Sequence, residues 1–501
     1  MFHFKTFAAV PALVLLMGGT AHAALTADQV WQSWKDGAAQ AGLKISAATE
    51  SNAGGVLTLN GVSVTAEGET EALTISDITM TEQSDGTVKI APGATIGIDE
   101  TDGTDVTKID LVHDGLSIVA SEKSGALVYD FEADSLNVTF DVTTEGYSFD
   151  ETTEAPAVKN TGKIGFETLS GSYSDTPGAN RVFGLDLAAA KFIFDSLADD
   201  PGMEMKTTST SETSDVKIAL DVTLPSSPLA DLDGTAGMRK ALDEGFAIAG
   251  SFAQGNGKGT SALESPYFPY SMSMDSEPAS AEMSLNKDAF TLTSSNGKMA
   301  FNVVSEGMPP MDVSIAQSSM DLKFPVMAST PQDIIFRLKL AQLELSEGVW
   351  SMFDPGAELK RDAADLNIDI TGRGALDLIS LAEAEDMGGE PQIPQLENLD
   401  IADISLKVAG AALVSTGAFT FDNSMGFPMP KGNATINVDG ANALIDGLIK
   451  VGLLEESDAA GARMMMAMFM KPSGNGDDSL VSEIEVKDGM EVLVNGQPLP
   501  M

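Results

Sequence analysis

The 501-residue chain contains no cysteine and only three histidines, His3, His22 and His113. Without cysteine it can form neither a disulfide nor a thiolate metal site, and it has no thiol to carry a lipid anchor. Two of the histidines lie in the first 23 residues, which carry the features of a secretory leader. His113 then remains alone, which excludes zinc sites built on histidine pairs and nucleophiles of the cysteine–histidine type.

The remaining histidine gives little support for catalysis. His113 stands in the sequence Val-His-Asp-Gly, which is typical of a hairpin turn. A solvent-exposed turn residue is the favoured interpretation, and a catalytic base in a turn is the alternative. No catalytic, cofactor-binding or metal-binding residue is therefore predicted, and neither a cofactor nor an enzymatic activity is expected.

Aromatic and basic side chains are also scarce. Aromatic residues make up 6% of the chain, with three tryptophans, whereas carbohydrate sites usually present aromatic platforms. The 29 basic residues face 74 acidic ones, for a net charge of −45. A field of this sign repels phosphate backbones, so nucleic acid is excluded as a partner.

Long apolar runs are missing after the start of the chain. Lys5 precedes an apolar stretch over residues 7–17, and Ala21-His22-Ala23 has the small-x-small pattern of a signal peptidase site. Residues 1–23 are therefore predicted to be a signal peptide cleaved after Ala23. The expected location is the periplasm, with no integral membrane segment after signal cleavage.

The predicted mature chain begins with a helix. Thr26 and Gln29 have the spacing of a capping box, and apolar residues follow at intervals of three to four up to Gly42. Two of the three tryptophans, Trp31 and Trp34, lie on this helix. We expect it to dock on a β-sheet, and a ligand-facing aromatic is the alternative role for these rings.

Most of the chain has the pattern of antiparallel strands. Short segments of alternating apolar and polar residues are separated by pairs that are typical of turns. In the first part of the chain these pairs are Asn60-Gly61, Asp85-Gly86, Pro92-Gly93, Asp102-Gly103, Asp114-Gly115 and Ser124-Gly125. They predict a meander of hairpins.

One strand pattern recurs with a break in its phase. In residues 73–80, Leu-Thr-Ile-Ser-Asp-Ile-Thr-Met, the apolar residues alternate, skip two positions and then alternate again. Residues 57–64, 338–345 and 399–406 repeat it. A β-bulge supplies one extra residue and bends a strand, which would keep all the apolar residues on one face. The pattern therefore predicts bent strands with a continuous apolar face.

The C-terminal part adds helices to this pattern. Helical spacing is found over residues 441–454 and 458–470, and the second segment contains Met-Met-Met-Ala-Met-Phe-Met at 464–470. Core filling is the favoured role of these methionines, and an adaptable apolar groove is the alternative. Residues 481–486 and 490–494 predict a terminal hairpin.

An acidic segment at 99–105, Asp-Glu-Thr-Asp-Gly-Thr-Asp, approaches calcium-loop spacing. It lacks the glutamate that closes a calcium loop at its twelfth position, and it lies between two strand patterns. An acidic hairpin turn is the favoured interpretation. No metal site is predicted here.

Three segments carry a resemblance to a known family. They are Val-Trp-Ser-Met-Phe-Asp-Pro-Gly at 349–356, Leu-Asn-Ile-Asp-Ile-Thr-Gly at 366–372, and the ending Ile-Glu-Val-Lys-Asp-Gly at 484–489. In these segments the chain resembles an uncharacterised alphaproteobacterial family known only as a domain of unknown function, number twenty-one twenty-five. The resemblance extends over essentially the whole mature chain. It implies export and a β-rich body, and it brings no catalytic residues.

Together these patterns predict a mainly β protein with an elongated, twisted antiparallel sheet, a meander with bulged strands that can fold over itself. Helices are expected at the N-terminus and near the C-terminus. The predicted regions are 24–150 (helix and meander), 151–394 (β-rich body with short helices) and 395–501 (strands, Met-rich helices and terminal hairpin).

Three functions fit this sequence. The first is an exported, non-enzymatic cell-envelope protein that binds a lipid, another apolar ligand or an envelope protein on a concave sheet. The second is an extracytoplasmic hydrolase that uses carboxylates alone. The third is a structural or assembly factor.

Overall fold

The computed structural model describes residues 24–40, 43–66, 72–93, 95–102, 105–146, 156–225, 227, 234–387 and 393–499. The predicted signal peptide and its cleavage site lie outside these residues. The chain divides into two compact units, the first ending at Ser273 and the second beginning at Met274. The three regions predicted from sequence describe stretches of chain rather than compact units, and their bounds stay a prediction.

Among its described residues, the first unit contains two helices and thirteen complete strands. The helices are α1 (Ala27–Gln40) and α2 (Gly234–Asp243). The strands are β1 (Leu43–Ala53), β2 (Val56–Ala66), β3 (Ala72–Glu82), β4 (Val88–Pro92), β5 (Thr95–Asp102), β6 (Asp105–Asp114), β7 (Ser117–Lys123), β8 (Ala126–Thr144), β9 (Val158–Thr176), β10 (Val182–Asp200), β11 (Met205–Thr223), β12 (Ala247–Gln254) and β13 (Gly257–Glu264).

The next strand, β14 (Tyr270–Ser276), spans the division, and the described part of the second unit continues with four helices and thirteen strands. The helices are α3 (Glu347–Trp350), α4 (Leu378–Met387), α5 (Ala441–Lys450) and α6 (Glu456–Phe469). The strands are β15 (Ala279–Leu285), β16 (Ala289–Asn296), β17 (Met299–Ser305), β18 (Met311–Pro325), β19 (Gln332–Leu345), β20 (Ala364–Ala375), β21 (Gln395–Val408), β22 (Ala411–Asp422), β23 (Met429–Asp439), β24 (Lys471–Pro472), β25 (Ser479–Val486), β26 (Val492–Val494) and β27 (Gln497–Pro498).

The predicted fold class is confirmed. The chain is mainly β, its strands pair antiparallel, and helices lie at the N-terminus and near the C-terminus. In the first unit β1 pairs with β2 and β2 pairs with β3, and β3 pairs with both β4 and β5. Strand β4 then pairs with β7, and β5 pairs with β6. The four 19-residue strands β8 to β11 follow as successive neighbours.

A line of backbone irregularities, here called the crease, crosses the first unit's sheet. Its left-handed residues are Gly61, Gly115, Thr168 and Asp215, with φ of 59°, 65°, 52° and 51°. The strand register is the same on both sides of the crease, since Leu59 faces Ile78 and Val62 faces Ile75. The left-handed residue rotates the strand, so that Leu59 and Val62 are both buried although they are three positions apart.

The prediction of bulges is therefore correct in only part of the chain. Segments 57–64 and 73–80 pair with each other without a register shift, and the crease accounts for their lost phase. Segments 338–345 and 399–406 do carry irregularities of register, between Leu340 and Leu343 and between Ile401 and Ile404. The same sequence pattern therefore occurs with two different structures, the left-handed crease and the shift of strand register.

Three of the predicted turns belong to the crease. Asn60-Gly61 lies inside β2, Pro92-Gly93 separates β4 from β5, and Asp114-Gly115 separates β6 from β7. Because β6 and β7 both run antiparallel to β8 in one register, the chain continues straight past Gly115. The expected hairpin turn at His113 is wrong: this residue is in β6, half-buried, with Nε2 3.1 Å from the carbonyl oxygen of Gly93.

Helix α1 forms as predicted and packs on the sheet. The Gln29 side chain accepts a hydrogen bond from the Thr26 backbone N–H at 2.9 Å, and the Gln29 N–H donates to the Thr26 hydroxyl at 3.3 Å. This is the capping box. The buried face of the helix joins apolar residues of β1 to β5 and β7 to β10 in the main core cluster. Its members on the helix are Ala27, Val30, Trp31, Trp34 and Ala38.

In the second unit the methionines of α6 do not fill a core. Met464, Met465 and Met468 are 62%, 52% and 61% exposed. The preference for core filling was therefore wrong for these three. The predicted terminal hairpin is present, formed by β25 and β26. No helix among the described residues is both long enough and apolar enough to cross a bilayer.

Candidate ligand cavity

A cavity of about 240 Å³ lies in the first unit, on the side of the sheet that α1 covers. Its wall is built from helix α1, from β3 to β10 and from the β6–β7 connection. The lining residues are Trp34, Ile75, Ile78, Ile90, Pro92, Ile96, Leu111, Leu116, Ile118, Tyr129, Phe131, Leu136, Leu169, Tyr173, Leu185 and Leu187. None of them is charged, so the cavity suits an apolar guest.

The crease brings this wall together. Ala133, Leu169 and Ala189 occupy one row across β8, β9 and β10, on one side of the crease. Leu136 and Phe166, on the other side of it, pack against these three residues. The apolar face is therefore bent towards itself, and an apolar hollow forms where the flat sheet would present an open surface.

The cavity has a buried side and a more exposed side. Trp34, Ile78, Tyr129 and Tyr173 are 6% exposed or less. Leu111, Leu116, Phe131, Leu136, Leu185 and Leu187 are only half-buried. The opening of the cavity therefore lies on the half-buried side. An apolar cavity of roughly 150 Å³ holds benzene, so this one has room for a larger ring or a short chain.

Several polar atoms on the buried side make no hydrogen bond. They are Trp34 Nε1, the hydroxyls of Tyr129 and Tyr173, and Ser33 Oγ. Trp34, Tyr129 and Tyr173 line the cavity. Their ring systems are in contact, since the Tyr129 and Tyr173 ring centroids are 6.0 Å apart. Buried polar groups without partners are rare in folded proteins, so this group marks the site.

A buried ion pair lies beside the tyrosines. Asp175 is fully buried, and its carboxylate accepts hydrogen bonds from Arg181 Nε at 2.8 Å and Nη2 at 2.5 Å. The Arg181 guanidinium also lies 5.3 Å from the Phe183 ring centroid. This two-point pairing is the geometry in which arginine and a carboxylate neutralise each other best.

Burial controls the protonation of these groups. It raises the pKa of the Tyr129 and Tyr173 hydroxyls far above the ordinary value, so both phenols are neutral at physiological pH. It also raises the pKa of Asp175, against the opposite influence of Arg181. The buried side of the cavity therefore carries no net charge apart from the matched ion pair.

Of the three lining residues that carry a polar side-chain atom, the sequence singles out only Trp34. Trp34 was expected in the core, with a ligand-facing role as the alternative, and it contributes to both the core and the cavity. Tyr129 and Tyr173 were not singled out, because a buried tyrosine without a partner has no signature in its neighbours along the chain. The sequence predicts turns at Gly61 and Gly115, and it gives no indication that these residues belong to a crease.

The acidic segment that approaches calcium-loop spacing lies where two neighbouring strands pair. The acidic segment 99–105 spans the β5–β6 hairpin, where Asp102 pairs with Asp105, while Gly103 and Thr104 lie outside the described residues. Among the residues that the structure describes, there is no group of three or more histidine, aspartate or glutamate side chains that could hold a metal ion.

The motif at 349–356 has a structural role. Asp354 is fully buried, and its carboxylate accepts backbone hydrogen bonds from Glu358 at 2.9 Å and Leu359 at 3.0 Å. Arg361 reaches the same carboxylate at 3.3 Å and lies 5.1 Å from the Trp350 ring centroid. Burial works to raise the pKa of Asp354, but these hydrogen bonds and Arg361 outweigh it and lower the pKa.

A second apolar hollow of about 200 Å³ lies in the second unit, beside α5 and the β21–β22 hairpin. Leu406, Val408 and Leu413 contribute strand residues to it, and Leu444 and Ile445 contribute helix residues. It is shallower than the first cavity, because Leu406 and Val408 are 40% and 37% exposed.

Comparison with known families gives a match in the second half of the chain. Residues 259–500 match the model of a family described as an uncharacterized protein conserved in bacteria (DUF2125). This confirms the family named from the sequence, over a shorter stretch than the whole mature chain. The match begins within β13 and covers the second unit almost to its end, so the cavity lined by Trp34 lies outside it. No curated protein is significantly similar to the chain.

Proposed function

We propose that the chain is an exported, non-enzymatic envelope protein that binds an apolar ligand. Its residues 259–500 match the model of an uncharacterized bacterial family. The ligand occupies the cavity of the first unit. The observation that carries this proposal is the cavity itself, about 240 Å³ with an uncharged lining of aliphatic and aromatic side chains. Sites for small apolar molecules have this character.

The leader sequence supports the cellular part of the proposal. Residues 1–23 have the cationic start, the apolar run and the Ala-His-Ala ending of a secretory signal. Export would place the protein in the periplasm, where an apolar molecule that passes between membranes must be shielded from water. The strongly acidic surface suits a protein that stays dispersed in an aqueous compartment.

A titration with the apolar fluorophore N-phenylnaphthylamine tests the binding. Leu187→Trp should fill part of the cavity and weaken the affinity by about tenfold or more, since the bulky ring takes the volume of the guest. Leu406→Trp is the matched control, because Leu406 lines the hollow of the second unit and should leave the affinity unchanged.

The outcomes separate the two hollows. If Leu406→Trp rather than Leu187→Trp removes binding, the ligand belongs to the second unit and the proposed site is wrong. If the purified protein does not bind the fluorophore and carries no lipid by mass spectrometry of its organic extract, the ligand-binding function is wrong. Equal melting temperatures of the variants show that each remains folded.

The cavity does not support the alternative function, hydrolysis by carboxylates alone. None of the lining residues carries a carboxylate, whereas hydrolysis by carboxylates alone needs two of them facing the substrate. A structural or assembly role is compatible with the same fold, but no geometric feature of the described residues favours it over ligand binding.

A further inference from the structure

The polar atoms without partners are concentrated at the cavity. Six buried side-chain polar atoms of the described residues lack a hydrogen bond, and four of them belong to Ser33, Trp34, Tyr129 and Tyr173. The first two are adjacent on α1, and the two tyrosines are on neighbouring strands in register, where Tyr129 pairs with Tyr173. The cluster therefore joins the helix to the sheet at one place.

Buried polar groups without hydrogen bonds lower the stability of a core, so packing alone does not explain why they are present. A phenylalanine at position 129 or 173 would fill nearly the same volume without burying a hydroxyl, so the tyrosines reduce stability when their hydroxyls are unpaired. Polar contacts with Trp34 and Ser33 lower the pKa of Tyr129, against the larger rise that burial causes. The four groups are close together, but none of the four polar atoms makes a hydrogen bond of good geometry.

We infer that the ligand of this cavity is an amphiphile with an uncharged head group that accepts a hydrogen bond, such as an alcohol, an ester or an amide. Its head pairs with Trp34 Nε1 and the Tyr129 hydroxyl, and its apolar part fills the cavity between Ile78 and Leu187. This inference rests on the proposed apolar binding and adds the chemical class of the ligand.

The donor set requires an acceptor on the ligand. The indole N–H of Trp34 can only donate, and a tyrosine hydroxyl can donate or accept. An alcohol or carbonyl oxygen can take both of these donors. A pure hydrocarbon could occupy the same apolar volume, but it would leave the polar atoms as they are.

The charges of the site favour a neutral head. Asp175 already occupies both Nε and Nη2 of Arg181, so the guanidinium is directed at its own carboxylate. The phenols of Tyr129 and Tyr173 are neutral. An anionic or cationic head would lose its hydration on entering this buried side without gaining a counter-charge.

Binding has to move a side chain. The four polar atoms have almost no contact with solvent, so the head reaches them when the Trp34 ring or the α1 backbone shifts. Helix α1 is held on the sheet partly by Trp31 Nε1, which donates to Glu50 at 2.9 Å, and by the Ala27 N–H, which donates to Glu82 at 3.1 Å. These contacts can persist while Trp34 rotates.

Octanol and octane form a matched pair of probes, with the same chain and a head group present or absent. Each displaces N-phenylnaphthylamine from the wild type, Tyr129→Phe, Trp34→Phe and Tyr267→Phe. The last variant is the control, because Tyr267 is 74% exposed on a loop. Losing the hydrogen bond should weaken octanol binding by about fivefold to tenfold in Tyr129→Phe and Trp34→Phe.

The expected result is a fall in octanol affinity relative to octane affinity in Tyr129→Phe and Trp34→Phe, whereas the ratio of the two affinities stays that of the wild type in Tyr267→Phe. Equal effects on both probes, or no effect on either, would overturn the inference about the head group while apolar binding stands. Failure of every form of the protein to bind any probe would instead refute the proposed function and the inference with it.

Discussion

At the residue scale, the most unusual position is Thr168. It lies in the middle of the long strand β9 with φ of 52°, although β-branched residues avoid the left-handed region. Its side chain is exposed and its neighbours across the sheet stay in register. The strain at Thr168 is therefore local to the backbone, and it is the cost of bending a 19-residue strand without inserting a residue.

We expect Thr168→Gly to stabilise the protein. Glycine adopts positive φ without a steric penalty, so the free energy of unfolding should rise by about 1 kcal/mol, less the extra entropy of glycine in the unfolded chain. Urea unfolding measures the change. Thr176→Gly, at the exposed end of the same strand with ordinary φ, is the control, and it should not stabilise. A loss of stability in Thr168→Gly would show that the left-handed conformation is not strained.

A second residue-scale prediction concerns Asp354. Asp354→Ala leaves two backbone N–H groups without their acceptor at a buried position and removes one of the partners of Arg361, so the melting temperature should fall clearly. Asp488→Ala is the matched control, because Asp488 is 84% exposed and pairs only with Lys431 in an ion pair at the surface. Equal melting temperatures of the two variants would contradict the structural role of the 349–361 cluster.

The pH dependence of this effect follows from the direction of the shift. The pKa of Asp354 is lower in the folded protein than the ordinary 3.8, so its contribution is present above that pH. As the pH falls below 3.8 and through the folded pKa, the contribution is lost. The stability difference between wild type and Asp354→Asn, measured by urea unfolding, should therefore shrink below about pH 4. A constant difference down to pH 2 would contradict the lowered pKa.

At the element scale, α1 is defined by local signals and placed by tertiary ones. The capping box starts it, and its buried stripe includes the two tryptophans, whose rings meet edge to face at 6.2 Å. A short helix of this kind is marginal alone, and packing supplies most of its stability. It therefore works as a cover on the apolar face while depending on that face for its own order.

Removing the N-terminal capping residue, Thr26, should destabilise the first turn of α1. We expect Thr26→Ala to cost about 1 kcal/mol of unfolding free energy, because the first turn of α1 loses the hydroxyl that accepts from Gln29. Amide hydrogen exchange should accelerate over residues 27–31. Gln32→Ala, which removes an exposed side chain that hydrogen-bonds only Asp36, is the control and should change neither quantity much. Unchanged exchange in Thr26→Ala would show that the cap is dispensable.

At the scale of the whole molecule, the charge balance dominates. With 74 acidic and 29 basic residues, the folded chain carries strong self-repulsion that unfolding relieves. Its ion pairs are mostly exposed, as in Lys123–Asp130 and Lys431–Asp488, and contribute little. Charge repulsion therefore destabilises the folded state, and the free energy gained by burying apolar side chains must exceed this repulsion.

Salt should then stabilise the protein. Raising sodium chloride from about 20 mM to about 500 mM shortens the Debye length well below the separation of most surface charges. We expect the melting temperature to rise by several degrees, measured by scanning calorimetry. The same rise in choline chloride would show general screening. A fall in either salt would contradict a net repulsive surface.

Much of this architecture could be predicted from the sequence. Alternation of period two identified the strands, and the Thr26–Gln29 spacing identified α1, because both signals are local and depend on backbone geometry alone. The loss of phase in residues 57–64 and 73–80 correctly indicated bent strands. The mechanism was wrong there, since a bulge and a left-handed crease leave the same trace in the order of apolar residues.

The candidate site could not be predicted in the same way. Asn-Gly and Asp-Gly pairs favour positive φ, which serves a hairpin turn and the crease equally well. Only the pairing of β6 and β7 with the same strand shows that the chain continues past Gly115. The exposure of Met464 likewise depends on which neighbours α6 finds, and no pattern within the helix decides it.

The sequence by itself determined the mainly antiparallel fold, the capped first helix and the absence of thiol and multi-histidine chemistry, because these depend on composition and on neighbours a few residues apart. The tertiary structure alone decided that Trp34, Tyr129 and Leu187 surround one hollow and that the polar atoms of the first two lack partners. These residues are far apart along the chain, and only the bend of the sheet brings them together.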